Sequence, residues 1–253
     1  MLVDVNAPFA LAPYLGPDPD ALNAARFRAG AQIGITLHVL TSAADVPPAS
    51  EFLPSSNDIR EGFERAHPSL IRWLALPGGP PPPSPDEPTE RGEESVRWEL
   101  ARDAARGAVG VELELFAFGV EPWLAAAVDE ATRCMLPVRV SNRADAAVLA
   151  AHHPLAQFVL AALGDDPNWQ DTIAAVAPLR NIAADLSGRR TVRGMLDAAL
   201  THLGPERLLW GTGASMETGL AQLRALDVIA PGADAIEAIR WRNAARIFPR
   251  LGI

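Results

Sequence analysis

The chain has 253 residues, 49% of them apolar, with 31 acidic against 22 basic side chains and a formal net charge of −9. That is enough material for one globular domain with a large core, and the wrong charge for a phosphate-binding face, so no nucleic acid partner is expected. All 22 basic residues are arginine, and Cys134 is the single cysteine. A P-loop lysine, a Schiff-base amine, a carboxylated-lysine metal bridge, an intrachain disulfide and a Cys-rich zinc site are therefore excluded.

From the amino terminus, MLVDVNAPF enters a strand-like alternation without a basic leader region, and no later apolar run approaches the ~20 residues of a membrane span. A cytoplasmic location away from membranes is the expectation. Strand-like runs follow at 1–7, 34–41, 70–76, 109–116, 136–142, 157–163, 181–187 and 207–213. Helical stretches fall at about 18–30, 56–66, 93–106, 121–134, 145–152, 168–177, 190–203 and 233–248. Eight strands alternating with eight helices in this length predict an α/β fold, a (β/α)8 TIM-like barrel occupying residues 1–253 as a single domain. A doubly wound sheet is the runner-up, but the first strand runs into Asn6-Ala7-Pro8 rather than a Gly-rich turn.

Two Pro-rich stretches, 43–55 and 77–92, follow strands two and three and so belong to the C-terminal face of a barrel, where active sites are built. Each reads either as a cover over the mouth or as a solvent-facing insertion. The basic groups Arg189, Arg190, Arg193 and Arg240, Arg242, Arg246, Arg250 read as solvated helix faces and caps. His67, His152, His153 and His202 fall at helix ends facing the N-terminal side of the barrel, whereas His38 lies inside a strand. Cys134 reads as a buried hydrophobe at the bottom of the barrel.

Several segments taken together resemble the amidohydrolase-related (amidohydrolase 2) branch of the amidohydrolase superfamily. MLVDVNAPF resembles its opening strand, VGVELELF and PWLAAAVDEATRCMLPVRVSN its fourth strand, helix and fifth strand, and HPLAQFVLAALG its sixth. NIAADLSG resembles its seventh strand, RLLWGTGAS its eighth and RWRNAARIF its closing helix. The resemblance implies a metal-dependent hydrolase with His-x-His on strand one, a ligand His after each of strands five and six, and an Asp after strand eight. Carried onto this chain, those positions are Asn6, Pro8, Ser141, Ala162 and Gly213. Pro, Ala and Gly offer no side-chain donor and Asn and Ser are weak ones, so the expectation is a degenerate site with no metal and no other cofactor.

Strand parity then predicts what points into the barrel. Val109, Val111, Leu113 and Leu115 are expected to face the helices, leaving Gly110, Glu112 and Glu114 inward. Arg139 shares parity with Ser141, and Asp4 with Asn6; His38 is read as inward from strand two, and Asp185 of strand seven joins the group. The expected cleft is thus Asp4, Asn6, His38, Glu112, Glu114, Arg139, Ser141 and Asp185, with Arg139 supplying positive charge through pairs with Glu112, Asp4 or both.

Three functions follow from these residues. The leading one is a barrel without its metal and without hydrolysis, a pseudoenzyme that binds a small carboxylate or partners a second copy or an active amidohydrolase paralogue. The next is a metal-independent hydrolase or lactonase, decarboxylase or isomerase acting on a small carboxylate-bearing substrate through His38, Glu112 and Arg139. The last is the family's ordinary metal-dependent hydrolysis.

Overall fold

The computed structural model describes residues 1–8, 19–41, 56–77, 92–113, 122–141, 143–189, 193–213, 216–229 and 232–253. The two Pro-rich stretches, Glu114, Leu115 and Arg190 lie outside them, Pro77 and Gly92 at the edges of the second stretch excepted. Eight parallel strands lie side by side in chain order and close into a TIM barrel. They are β1 (Val3–Ala7), β2 (Leu37–Leu40), β3 (Ile71–Ala75), β4 (Gly110–Leu113), β5 (Val138–Val140), β6 (Phe158–Leu160), β7 (Ile182–Asp185) and β8 (Leu208–Leu209). Each falls within a run expected from sequence, because a parallel strand buried on both faces leaves an almost unbroken apolar signature.

Between them stand α1 (Pro19–Gln32), α2 (Ser56–Ala66), α3 (Glu93–Ala105), α4 (Pro122–Arg133), α5 (Arg143–His152), α6 (Trp169–Val176) and α7 (Arg193–Leu203). The carboxyl-terminal part differs from expectation. The helix following β8 is α8 (Met216–Ile229), which the sequence reading passed over. The stretch near 233–248 is an additional element, α9 (Ala233–Glu237), a π-helical turn (Ala238–Arg242) and α10 (Asn243–Ile247). Among the described residues no helix is long and apolar enough to cross a membrane.

The core has two layers. Trp73, Val111, Leu113, Val138, Val140, Phe158, Leu160 and Trp210 pack outward against the helices. Inside the barrel, Val3, Val5, Leu37, Val39, Leu74, Val159, Ala183 and Leu209 form a second cluster, which Ile247, Phe248 and Leu251 close from below. Val109 joins this inner cluster, against the expectation that it faces the helices, since it precedes the first paired residue of β4. Gly110 makes room for the closure: a Cβ there would lie 2.8 Å from Leu74 Cδ2 and 3.2 Å from Phe248 Cε1.

The seam between β1 and β8 has no regular ladder among the described residues. It is joined by Val5 N–H to the Trp210 carbonyl at 3.2 Å and Gly213 N–H to the Asn6 carbonyl at 2.9 Å. Asp4 adds a side-chain clasp: Oδ1 accepts the Thr212 N–H at 2.8 Å, and Oδ2 accepts the Thr212 hydroxyl at 2.7 Å.

Candidate functional site

The inward faces of β4, β5 and β7 place Glu112, Arg139 and Asp185 together, since Glu112 is in register with Arg139 and the neighbours Leu113, Val140 and Ala184 turn outward. Arg139 Nη1 donates to Glu112 Oε1, and Nη2 lies 3.7 Å from Asp185 Oδ2. A third participant comes from a helix. Arg60 of α2, 1% exposed, donates through Nη1 to the Leu74 carbonyl at 2.6 Å and brings Nη2 to 3.6 Å from Glu112 Oε2. Two guanidinium groups thus meet two carboxylates, the pairing that buried charge requires. Arg60 was not anticipated. The signal was a pair of polar side chains, Asn57 and Arg60, one turn apart and in line with the apolar Phe63 of the same helix.

Asp185 is a hub. Oδ1 accepts the Ser187 N–H at 2.8 Å, while Oδ2 accepts the Ser187 hydroxyl at 2.8 Å, Asn6 Nδ2 at 3.1 Å and the Ala162 N–H at 3.1 Å. Asn6 also donates to Ser187 Oγ at 2.7 Å and accepts the Thr41 hydroxyl at 2.7 Å. The expected members Asn6, Glu112, Arg139 and Asp185 therefore form one network at the mouth. Ser187 and Thr41 complete it, both legible only as polar residues ending strands.

Asp4 and His38 are placed elsewhere. Leu37 and Val39 occupy the barrel interior, so His38 points the other way, edge-on to Phe27 at 6.0 Å between centroids and close to Gly30 of α1. Its Nδ1 lies 3.1 Å from Asp4 Oδ2, both side chains being buried. Asp4 pairs with His38 in the β1–β2 ladder and shares its helix-facing side, and the register shifts between Asp4 and Ala7, which breaks the assumed common parity of Asp4 and Asn6. The inward assignments of His38 and Asp4 are corrected accordingly, and the partners of Arg139 are Glu112 and Asp185 rather than Asp4. Arg26 of α1 closes this outer group, donating to Thr212 Oγ1 at 2.6 Å and to the Gly213 carbonyl at 3.3 Å. Burial lowers the Arg26 pKa, with Asp4 opposing.

The remaining histidines sit as expected near helix ends. His152 Nδ1 is 2.8 Å from the Val148 carbonyl, His153 Nδ1 is 3.2 Å from Asp129, and His67 packs its ring 4.8 Å from that of Phe27. Cys134 is half-buried, with burial and the adjacent Glu130 raising its pKa.

The five positions that the family resemblance singles out divide in two. Gly213 has φ 55°, and a Cβ there would lie 3.0 Å from Gly188 N and 3.1 Å from Ser187 Cβ. Gly188 in turn meets the backbone of Gly164 and Asp165, where a Cβ would come to 2.4 Å. The loops after β6, β7 and β8 therefore pack backbone on backbone, tied by Gly164 N–H to the Ser187 carbonyl at 2.8 Å. Open space remains on the other side. A cavity of about 270 Å³ is lined by Arg139 and Ser141, by residues 160–163 and by Asp165 and Asp166. Ala162 on its wall has φ 47° and ψ 53°, a left-handed conformation that costs a non-glycine residue about 1 kcal/mol. Ser141 is exposed, Asn6 belongs to the Asp185 hub, and Pro8 is half-buried beyond the end of β1.

The family that the sequence resembles implies a divalent metal at such a mouth. Among the described residues no group of three or more His, Cys, Asp or Glu converges. Glu112 and Asp185 are poorly disposed to hold the ion: both Asp185 oxygens are occupied by donors, Glu112 faces two guanidinium groups, and a cation beside them would meet Arg139.

The amidohydrolase (Amidohydro_2) family model matches residues 7–250. No curated protein matches the chain. Among solved structures, 2,6-dihydroxybenzoate decarboxylase in complex with 2,6-dihydroxybenzoate superposes with a TM-score of 0.68 at 16% identity, covering 98% of this chain and 99% of that one. The 5-carboxyvanillate decarboxylase of Sphingomonas paucimobilis gives 0.68 at 14% identity, covering 98% of each chain. A probable 2-pyrone-4,6-dicarboxylic acid hydrolase of Acinetobacter baumannii, with citric acid bound, gives 0.67 at 16% identity, covering 98% and 99%. At these identities the structures share the fold, while the family match extends over nearly the whole chain, which belongs to the amidohydrolase family.

Proposed function

We propose that this barrel is an enzyme of the decarboxylase or hydrolase kind that acts, without a metal, on a small carboxylate-bearing molecule anchored by Arg139. The observation that carries the reading is Arg139 itself. Its guanidinium side chain is 8% exposed and lines the cavity beside Ser141 and the aliphatic residues 160–163. A guanidinium on the wall of a small cavity is the chemistry that recognises a carboxylate or another planar anion. The decarboxylases and hydrolase of the same fold act on carboxylates by name, which favours turnover over a purely binding role.

Of the two reactions, loss of CO2 suits this donor set better. Hydrolysis needs a water activated by a metal or a free base. Decarboxylation breaks one C–C bond, releases CO2 and leaves an electron pair that a conjugated substrate holds until a proton from water replaces the lost carbon. The aliphatic wall of residues 160–163 desolvates a departing carboxylate, whereas an ion pair to that same carboxylate would stabilise the ground state. Arg139 therefore holds the anionic group that stays.

The test uses protein stripped with chelator and assayed for CO2 release and lactone opening on 2,6-dihydroxybenzoate, 5-carboxyvanillate and 2-pyrone-4,6-dicarboxylate. Binding of at least one of these should weaken tenfold or more in Arg139→Gln. That variant is expected to fold, because Arg60 still faces Glu112. Activity that vanishes on chelation and returns with manganese or zinc would restore the family's ordinary chemistry and overturn this reading.

A further inference from the structure

Ala162 carries a methyl that its backbone conformation disfavours. Its φ of 47° and ψ of 53° are left-handed, a region in which glycine sits without penalty. The chain has reasons to turn there. The Ala162 N–H donates to Asp185 Oδ2 at 3.1 Å and its carbonyl accepts the Asp165 N–H at 2.9 Å, so the residue fastens the end of β6 to the Arg139 network and starts the turn at 163–165. A glycine would make both bonds. Glycine does stand nearby where sterics demand it: at Gly188 and Gly213, also at positive φ, a Cβ would come to 2.4 Å and 3.0 Å from backbone atoms. At 162 the Cβ is present, and the core does not hold it. Leu160 and Leu163 pack in the outer layer, whereas Ala162, half-buried, joins neither layer among the described residues. What it borders is the cavity, whose wall it forms together with Arg139 and Ser141.

We infer that Ala162 is a specificity-determining residue, whose methyl shapes the wall against which the part of the ligand remote from Arg139 lies. The inference rests on Arg139 being the anion anchor, and it adds what decides the fit beside that anchor. Where Arg139 holds the anion that stays, a monoanion with an apolar ring resembles the product, and a methyl on the ring takes the place of the lost carboxylate. The volume of about 270 Å³ suits a single ring. Removing the Ala162 methyl opens a recess of one methyl's size, which a ligand carrying an added methyl can refill.

Ligand-observed NMR titration of the full chain with benzoate and with 2-, 3- and 4-methylbenzoate tests this, beside urea unfolding of the same variants. Ala162→Gly should leave the urea midpoint unchanged or raise it, since relief of the left-handed backbone offsets the extra freedom of the unfolded chain. It should weaken benzoate by about two- to fourfold, the loss of one methyl contact, and raise the affinity of at least one methylbenzoate relative to benzoate by about as much. Ala162→Asn, whose side chain tolerates a left-handed backbone, should fold and should weaken all four acids. Arg139→Gln should weaken all four as well. If Arg139→Gln does so but Ala162→Gly leaves the affinities and their ratios as they were, or if Ala162→Gly lowers the urea midpoint as loss of a core methyl would, the Ala162 inference falls and the anchor stands. If none of the four acids binds, or Arg139→Gln changes nothing, the anchor falls and takes the inference with it.

Discussion

Asp4 shows how a single side chain can matter more to closure than to chemistry. Its carboxylate is 0% exposed and accepts from the Asn6 N–H, the Thr212 N–H and the Thr212 hydroxyl while facing His38, so it holds β1 to β8 where the strands lack a regular ladder. Asp4→Asn puts an N–H₂ against these donors and is expected to cost roughly 3 kcal/mol of unfolding free energy. His38→Gln, which leaves the Thr212 bonds in place, is expected to cost only about 1 kcal/mol. Urea denaturation midpoints compare the two, and equal losses would show that Asp4 is not the clasp. The sequence could not reveal this placement. Parity offers two orientations for a strand, and choosing between them by polarity fails where both faces are buried: Leu37 and Val39 are as apolar as an outward pair would be. Glu112, Arg139 and Asp185 were legible because their neighbours along each strand, such as Leu113, Val140 and Ala184, are bulkier or more apolar than they are.

At the level of elements, the strands were easy to read and the last helices were not. α8 buries Gly219, Gln222, Leu223 and Leu226, a clear helical spacing, but its polar Gln and a mid-helix glycine weaken the apolar stripe. That glycine has a steric reason, since a Cβ on Gly219 would lie 3.1 Å from Trp210 and from Thr212 Cγ2. The pairing of α2 with α3 carries a pH dependence. Arg106 of the turn after α3 bonds Glu61 and Asp58 of α2 and lies 3.4 Å from Asp103 of α3. The Arg106 hydrogen bond holds the Glu61 carboxyl below the usual range, whereas burial pushes Glu64, on the same helix, upward. A lowered carboxylate contributes stability above its unfolded pKa and loses it as the pH falls through its folded pKa; a raised one costs stability above its folded pKa and stops doing so on acidification. Glu61→Gln should therefore lower the urea midpoint near about pH 7 and have little effect near about pH 2, while Glu64→Gln should raise it at about pH 7 and lose that benefit below about pH 4. The Glu61 effect should shrink in high salt, because the pair is partly exposed.

Over the whole molecule, the two ends of the barrel are built differently. The cavity with Arg139 opens at the C-terminal mouth, while Phe248, Ile247 and Leu251 fill the opposite end beneath the inner cluster. The plug is tied down on several sides: Arg72 Nε donates to the Leu251 carbonyl at 3.2 Å, and Arg250 donates to the carbonyls of Cys134 at 3.3 Å and Ala104 at 2.6 Å. Phe248 is 1% exposed, and nothing else among the described residues fills its place between Gly110 and Leu74. Phe248→Ala is expected to cost about 3–5 kcal/mol through the cavity it leaves. Gly110→Ala, which overfills the same spot, is expected to cost about 1–3 kcal/mol. Because the mouth network is built from strand ends and helix α2 rather than from the plug, both variants should bind the Arg139 ligand with unchanged affinity at temperatures where they remain folded. Thermal unfolding paired with titration reads the two effects separately. A loss of affinity that tracks the loss of stability would mean that the plug sets the spacing of β4 and β5, and with it the position of Arg139.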